Sequence, residues 1–134
     1  MVRTFFLSPL FIMFLVISCR DDSVKRYEQI VDRSDSIVIS SRDYPDSVII
    51  STIPGIDTMK ENLKRHINPG GPRKFFAEKW ISFYEQGKPI GVMMISAGEY
   101  GFANFRSKNL SLTFPVTPGI RTSLDMLALK NSNP

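Results

Sequence analysis

The chain has 134 residues, 43% of them hydrophobic, with 17 Lys and Arg against 13 Asp and Glu and a formal net charge of +4. A single cysteine has no partner for an intrachain disulfide, and a single histidine argues against a zinc cluster. The mild positive charge lacks the dense basic stripe of a nucleic-acid binder, so no nucleic acid, cofactor or metal is expected among its partners.

The first element in chain order is a leader. Arg3 supplies a positive start, Phe5 to Ile17 form an apolar core broken only by Ser8 and Pro9, and small Ser18 precedes Cys19. The apolar run is about thirteen residues, whereas a helix needs roughly 20 to cross the hydrocarbon core. Residues 1–22 resemble a bacterial lipoprotein precursor, with Val16 in place of the usual leucine three before the cysteine. The resemblance implies removal of residues 1–18, a diacylglycerol thioether on Cys19, and usually an acyl chain on its new amino group. Two or more chains hold a protein stably on a membrane, where one does not. Arg20-Asp21-Asp22 further resembles the surface-export signal of Bacteroidetes-type lipoproteins; a solvated tether is the alternative. The implied location is the bacterial cell envelope, at the outer membrane, on either its periplasmic or its surface side. An ordinary secretory leader or an uncleaved anchor is the competing reading of the same residues.

Removing residues 1–18 leaves 116, one domain with a modest core. Residues 19–34 read as the lipidated cysteine and a tether, passing into a short helix with Tyr27, Ile30 and Val31 at helical spacing. The domain itself is expected over residues 35–130, with 131–134 frayed. Asp35-Ser36-Ile37-Val38-Ile39-Ser40 is echoed eleven residues later by Asp46-Ser47-Val48-Ile49-Ile50-Ser51. These β-branched runs flank turn residues and predict a β-hairpin with both faces at least partly covered. Thr58 with Glu61 makes a capping-box pattern for a helix whose apolar stripe is Met59, Leu63 and Ile67, stopped by Asn68-Pro69-Gly70-Gly71-Pro72.

Two strands around Gln86-Gly87 predict a second hairpin with a primed turn. A two-residue loop sets Glu85 against Lys88, Phe83 against Ile90, Ile81 against Val92 and Trp80 against Met93. Ile81, Phe83, Ile90 and Val92 then share a core face, and Phe76, Trp80, Tyr84 and Met93 share the other. Residues 97–108 read as an aromatic-rich loop. Leu110, Leu112 and Phe114 suggest a last strand, and Ile120 to Lys130 a final helix with Leu124, Leu127 and Ala128 inward. The sum is an α+β domain: a small antiparallel sheet of two β-hairpins packed with one or two helices.

The stripe Phe76, Trp80, Tyr84 and Met93 is the candidate binding surface, since Trp and Tyr combine large area with a polar handle. Its structural alternative is core. His66 beside the helix end is explained by the helix dipole. Glu78 and Glu99 are the acids set among aromatics, and a small envelope hydrolase would have to use them or His66. No catalytic residue is expected. The function read from the chain is a lipid-anchored, non-enzymatic binding or accessory domain for a protein or glycan partner. The alternatives are an immunity- or inhibitor-type lipoprotein and, further off, a small hydrolase.

Overall fold

A computed structural model describes residues 22–71, 73, 74, 76–96 and 101–132. Helix α1 covers residues 22–33, and the order continues β1 (Ser36–Ser41), β2 (Val48–Ile50), α2 (Gly55–Lys64), β3 (Ala77–Glu85), β4 (Lys88–Ser96), β5 (Phe102–Ser107), β6 (Leu110–Pro115) and α3 (Pro118–Ser132). The class is α+β. All strand pairs are antiparallel, in a six-stranded sheet of order β2-β1-β3-β4-β5-β6. Both predicted hairpins form, and β5–β6 adds a third.

Alternation along the strands builds one core. Ile37, Ile39, Ile81, Phe83, Met93, Ile95, Ala103, Phe105, Leu112 and Phe114 point to the face that the helices cover. Helix α1 contributes Tyr27 and Val31, α2 contributes Ile56, Met59 and Leu63, and α3 contributes Ile120, Leu124 and Leu127. The short helix expected after the tether forms as α1; it starts already at residue 22, and Tyr27 and Val31 make it part of the core, so that segment is not a tether. Tyr27 is fully buried, packs edge-on against Phe105 with ring centroids 4.9 Å apart, and donates its hydroxyl to the Leu63 carbonyl at 2.7 Å. That carbonyl belongs to the last turn of α2, where chain-end acceptors lack helical partners. Burial, with a smaller contribution from Glu28, pushes the phenol above its ordinary range. Lys64 ties the same helix pair together, bonding Asp32 at 2.8 Å and Glu61 at 3.2 Å. The hydrogen bond to Asp32 is the main reason its ammonium is held above its ordinary range.

Two glycines are dictated by close approach. A methyl on Gly119, in the first turn of α3, would fall on the Asn62 carbonyl of α2, within 2.9 Å of its carbon. A methyl on Gly91 would lie 2.6 Å from the Phe105 ring. Thr117 starts α3 by accepting the Ile120 N–H on its hydroxyl at 3.2 Å, with Pro118 at the first helical position.

Contacts are made at one sheet edge and just before the other. The segment after α2 lays Gly70 against β6, its N–H donating to the Thr113 carbonyl at 2.8 Å, and then stacks Arg73 over Phe102 at 4.0 Å. Just before the other edge strand, Asn131 exchanges hydrogen bonds with the Asp46 backbone, and Lys130 donates to the Ser47 carbonyl at 2.6 Å.

Several expectations are corrected. Helix α2 begins three residues before Thr58, which donates back to the Pro54 carbonyl at 3.3 Å; Glu61 bonds Lys64, so the capping box does not form. Residues 102–107 are strand β5: Ala103 and Phe105 alternate into the core, and the three aromatics around them had suggested a loop. Ala128 is exposed, on the outer side of α3. Among the described residues no helix covers the face carrying Val38 and Ile49, and Ile49 is 65% exposed.

Candidate functional site

The primed turn forms as predicted, with Gln86 at φ 51° and Gly87 at φ 77°, and Asp35 accepts the Gln86 N–H at 2.7 Å. Glu85 pairs with Lys88, but the register slips between Phe83 and Tyr84. Tyr84 pairs with Pro89 and Phe83 with Gly91, leaving Ile90 as the extra residue of a bulge. From Phe83 to Lys79 the partners are displaced by one, so that Ile81 faces Met93 and Trp80 faces Met94; a second irregularity at Glu78 then returns Ala77 to Ser96. Met93 is therefore fully buried core, and Val92 turns to the opposite face. Ile90 remains only partly buried beside the core.

The predicted stripe is thus split. Trp80 and Tyr84 do share the face away from the helices, both half-buried, and Met94 takes the place expected for Met93. Phe76 lies before β3 and is 88% exposed. Two cross-strand rows make up this open face. One runs Ile49, Val38, Ser82, Val92, Arg106 and Ser111; the other runs Ser40, Trp80, Met94, Asn104 and Thr113. Only Arg106 is charged among them. A solvent-facing sheet surface ordinarily alternates toward polar and charged side chains, so rows of Val, Ile, Trp, Met and hydroxyls are unusual. Loss of charge with gain of aromatics and Met is the composition of an interface centre.

Arg106 is held in place. Its Nε–H donates to Asn104 Oδ1 at 2.8 Å, and the buried Asn104 amide donates in turn to Thr113 Oγ1 at 2.9 Å and Ser111 Oγ at 3.4 Å. An exposed arginine is usually free to swing; this one is oriented by an amide that is itself fixed on both sides.

Arg106 borders a slot that the strand register creates. Pairing of β4 with β5 stops at Val92 and Arg106, although both hairpins continue. Pro89, which has no N–H to give a ladder, and side-chain-free Gly91 lie on the diverging β4 segment. The two hairpins splay, and α1 closes the gap from behind. The resulting groove, about 630 Å³, is lined by Ile30, Tyr84, Pro89, Ile90 and Val92 and by four cations, Arg26, Arg33, Arg106 and Lys108. Among the described residues no carboxylate lines it. Arg33 also meets Glu85 at 3.3 Å, in solvent. In sequence, Arg106 and Lys108 stand out as a local cluster, but Arg26 and Arg33 lie about seventy to eighty residues earlier, and only the fold brings the groups together.

A second groove of about 440 Å³ opens at the other end of the strands, lined by Asp43, Glu78, Lys79, Arg121 and Asp125 among others. His66 is not in the helix: α2 ends at Lys64, and exposed His66 follows at φ 58°. It lines neither groove, so Glu78 and His66 are not brought together, and Glu99 lies outside the described residues. Among the described residues no group of three or more His, Cys, Asp or Glu is arranged to hold a metal ion, and no helix is long and apolar enough to cross a membrane. Cys19 and the leader likewise lie outside the described residues.

No protein-family model, curated protein or solved structure matches this chain.

Proposed function

We propose that this chain is a lipid-anchored protein of a bacterial envelope, attached through Cys19, whose domain is a non-enzymatic binding module. The open sheet face is the surface it presents to a protein or glycan partner. One observation carries the binding reading: on the face away from the helices, two cross-strand rows hold half-buried Trp80, Met94, Val92 and Val38, exposed Ile49 and a single charge, Arg106. Such a surface gains free energy when covered, at about 25 cal/mol per Å² of apolar area. Trp80 and Tyr84 add hydrogen-bonding groups that set orientation. Inhibition of an incoming protein is one form such binding takes. The anchor reading is supported by the pattern of Arg3, the apolar run and Ser18-Cys19.

The anchor is tested by growth with a palmitate analogue. The protein takes label, and Cys19→Ala abolishes it; label that persists in that variant overturns the anchor. The binding face is tested by capturing partners on residues 20–134 and on the same chain carrying Trp80→Ala and Met94→Ser. A folded variant that loses the captured partner supports the face. A folded variant that keeps it moves the binding site elsewhere.

A further inference from the structure

We infer that the slot between the splayed hairpins receives the phosphate of an anionic phospholipid headgroup, and that it sets the domain on the membrane with the hairpin turns downward. The inference rests on the anchor reading of Cys19 and adds to it which end of the domain meets the bilayer.

Charge and shape select this occupant. Arg26, Arg33, Arg106 and Lys108 surround a floor of Ile30, Pro89 and Ile90, so a negative head and the first apolar carbons of a lipid both find matching surface. Arg106 is oriented by the Asn104–Thr113 relay, which fixes the edge of its guanidinium as a phosphate fork. Position points the same way. Helix α1 begins at residue 22, three residues after Cys19, and three residues reach at most about 11 Å when extended. Arg26 lies one helical turn further on, about 6 Å along the axis. A lipid on Cys19 therefore holds α1 within reach of the headgroups, and the slot opens beside α1. An acidic protein segment would satisfy the charge, but it gains nothing from this nearness.

The consequence is an orientation. With the slot at the bilayer, the strands rise from the membrane and the open sheet face stands beside it, accessible from the side.

The test uses residues 20–134, which contain every core side chain among the described residues, with folding of each variant checked by thermal unfolding. Sedimentation is measured with phosphatidylcholine vesicles, with and without phosphatidylglycerol, at low and high salt. Binding is expected only with phosphatidylglycerol, and to weaken in salt. Arg106→Gln with Lys108→Gln should lower it roughly 25-fold, taking about fivefold for each basic residue at an anionic surface. Lys74→Gln with Lys79→Gln removes the same charge at the other end of the strands and should leave binding nearly unchanged.

Equal losses in the two pairs would mean that net charge alone is read, and would overturn the slot. Binding that ignores phosphatidylglycerol also overturns it. So does protection of the folded chain by inorganic phosphate without vesicle binding, which would assign the slot to a soluble phosphate compound. Capture of an acidic protein that is lost in the Arg106/Lys108 variant, again without vesicle binding, would assign it to that protein. Palmitate labelling is read separately: its failure removes the anchor at Cys19, while the vesicle result decides the slot.

Discussion

The two faces of this sheet are made by the same strands, residue by alternate residue, yet they are held to different standards. On the helix side, Phe83, Phe105, Phe114 and Tyr27 pack as touching rings, and Gly91 and Gly119 are set by a neighbour's volume. On the open side, Trp80, Met94 and Val92 are only half-buried. The first face is where stability resides; the second keeps apolar surface that folding does not use. The difference separates residues that hold the fold from residues on which the binding proposal rests, and it is best examined by substitutions placed on one side at a time.

Phe105→Ala should do most damage, about 3–5 kcal/mol, because the ring touches Tyr27 and Phe83 and fills the space above Gly91. Urea unfolding measures it, and a loss under 1 kcal/mol would mean the covered face is loosely packed. Gly119→Ala should cost roughly 1–3 kcal/mol, since the Asn62 backbone must retreat and α3 with it. Tyr27→Phe should cost about 1–2 kcal/mol by leaving the Leu63 carbonyl without its donor.

Tyr27 and Lys64 also give the domain a pH dependence of defined sign. Both are held above their ordinary ranges in the folded state. Their contribution is complete below about pH 10 and is lost as pH climbs from there through the raised values. Midpoints of urea unfolding should therefore fall on the alkaline side, and less so in Tyr27→Phe. Trp80→Ala should be the mildest change in stability, about 1 kcal/mol or less, while removing most of the partner binding. If it instead unfolds the domain, the distinction between the faces fails.

The elements were legible where local chemistry sets them. Gln86-Gly87 dictates its turn, the Ile/Val runs around Pro45 their hairpin, and Met59, Leu63 and Leu127 their helical faces. Register was not. The bulge at Ile90 exchanges Met93 for Met94 on the open face, and alternation cannot reveal where an extra residue is accommodated. Strand β5 was hidden because Gly101 and three nearby aromatics look like loop composition, while its pairing with β4 and β6 is settled by neighbours distant in sequence. Half of the candidate surface, Trp80 and Tyr84, could be read from spacing. The slot could not, since it exists only where two hairpins part over a helix from the start of the chain.

The Gly70 bridge on β6 and the Asn131 and Lys130 contacts beside β2 have a consequence for crowding. A bare strand edge offers unpaired N–H and C=O groups that can zipper one copy of a protein to the next. Here one margin carries a strand-like cap and the other is strapped by the final helix. Each contact takes backbone groups at or beside a margin that could otherwise pair with a second copy.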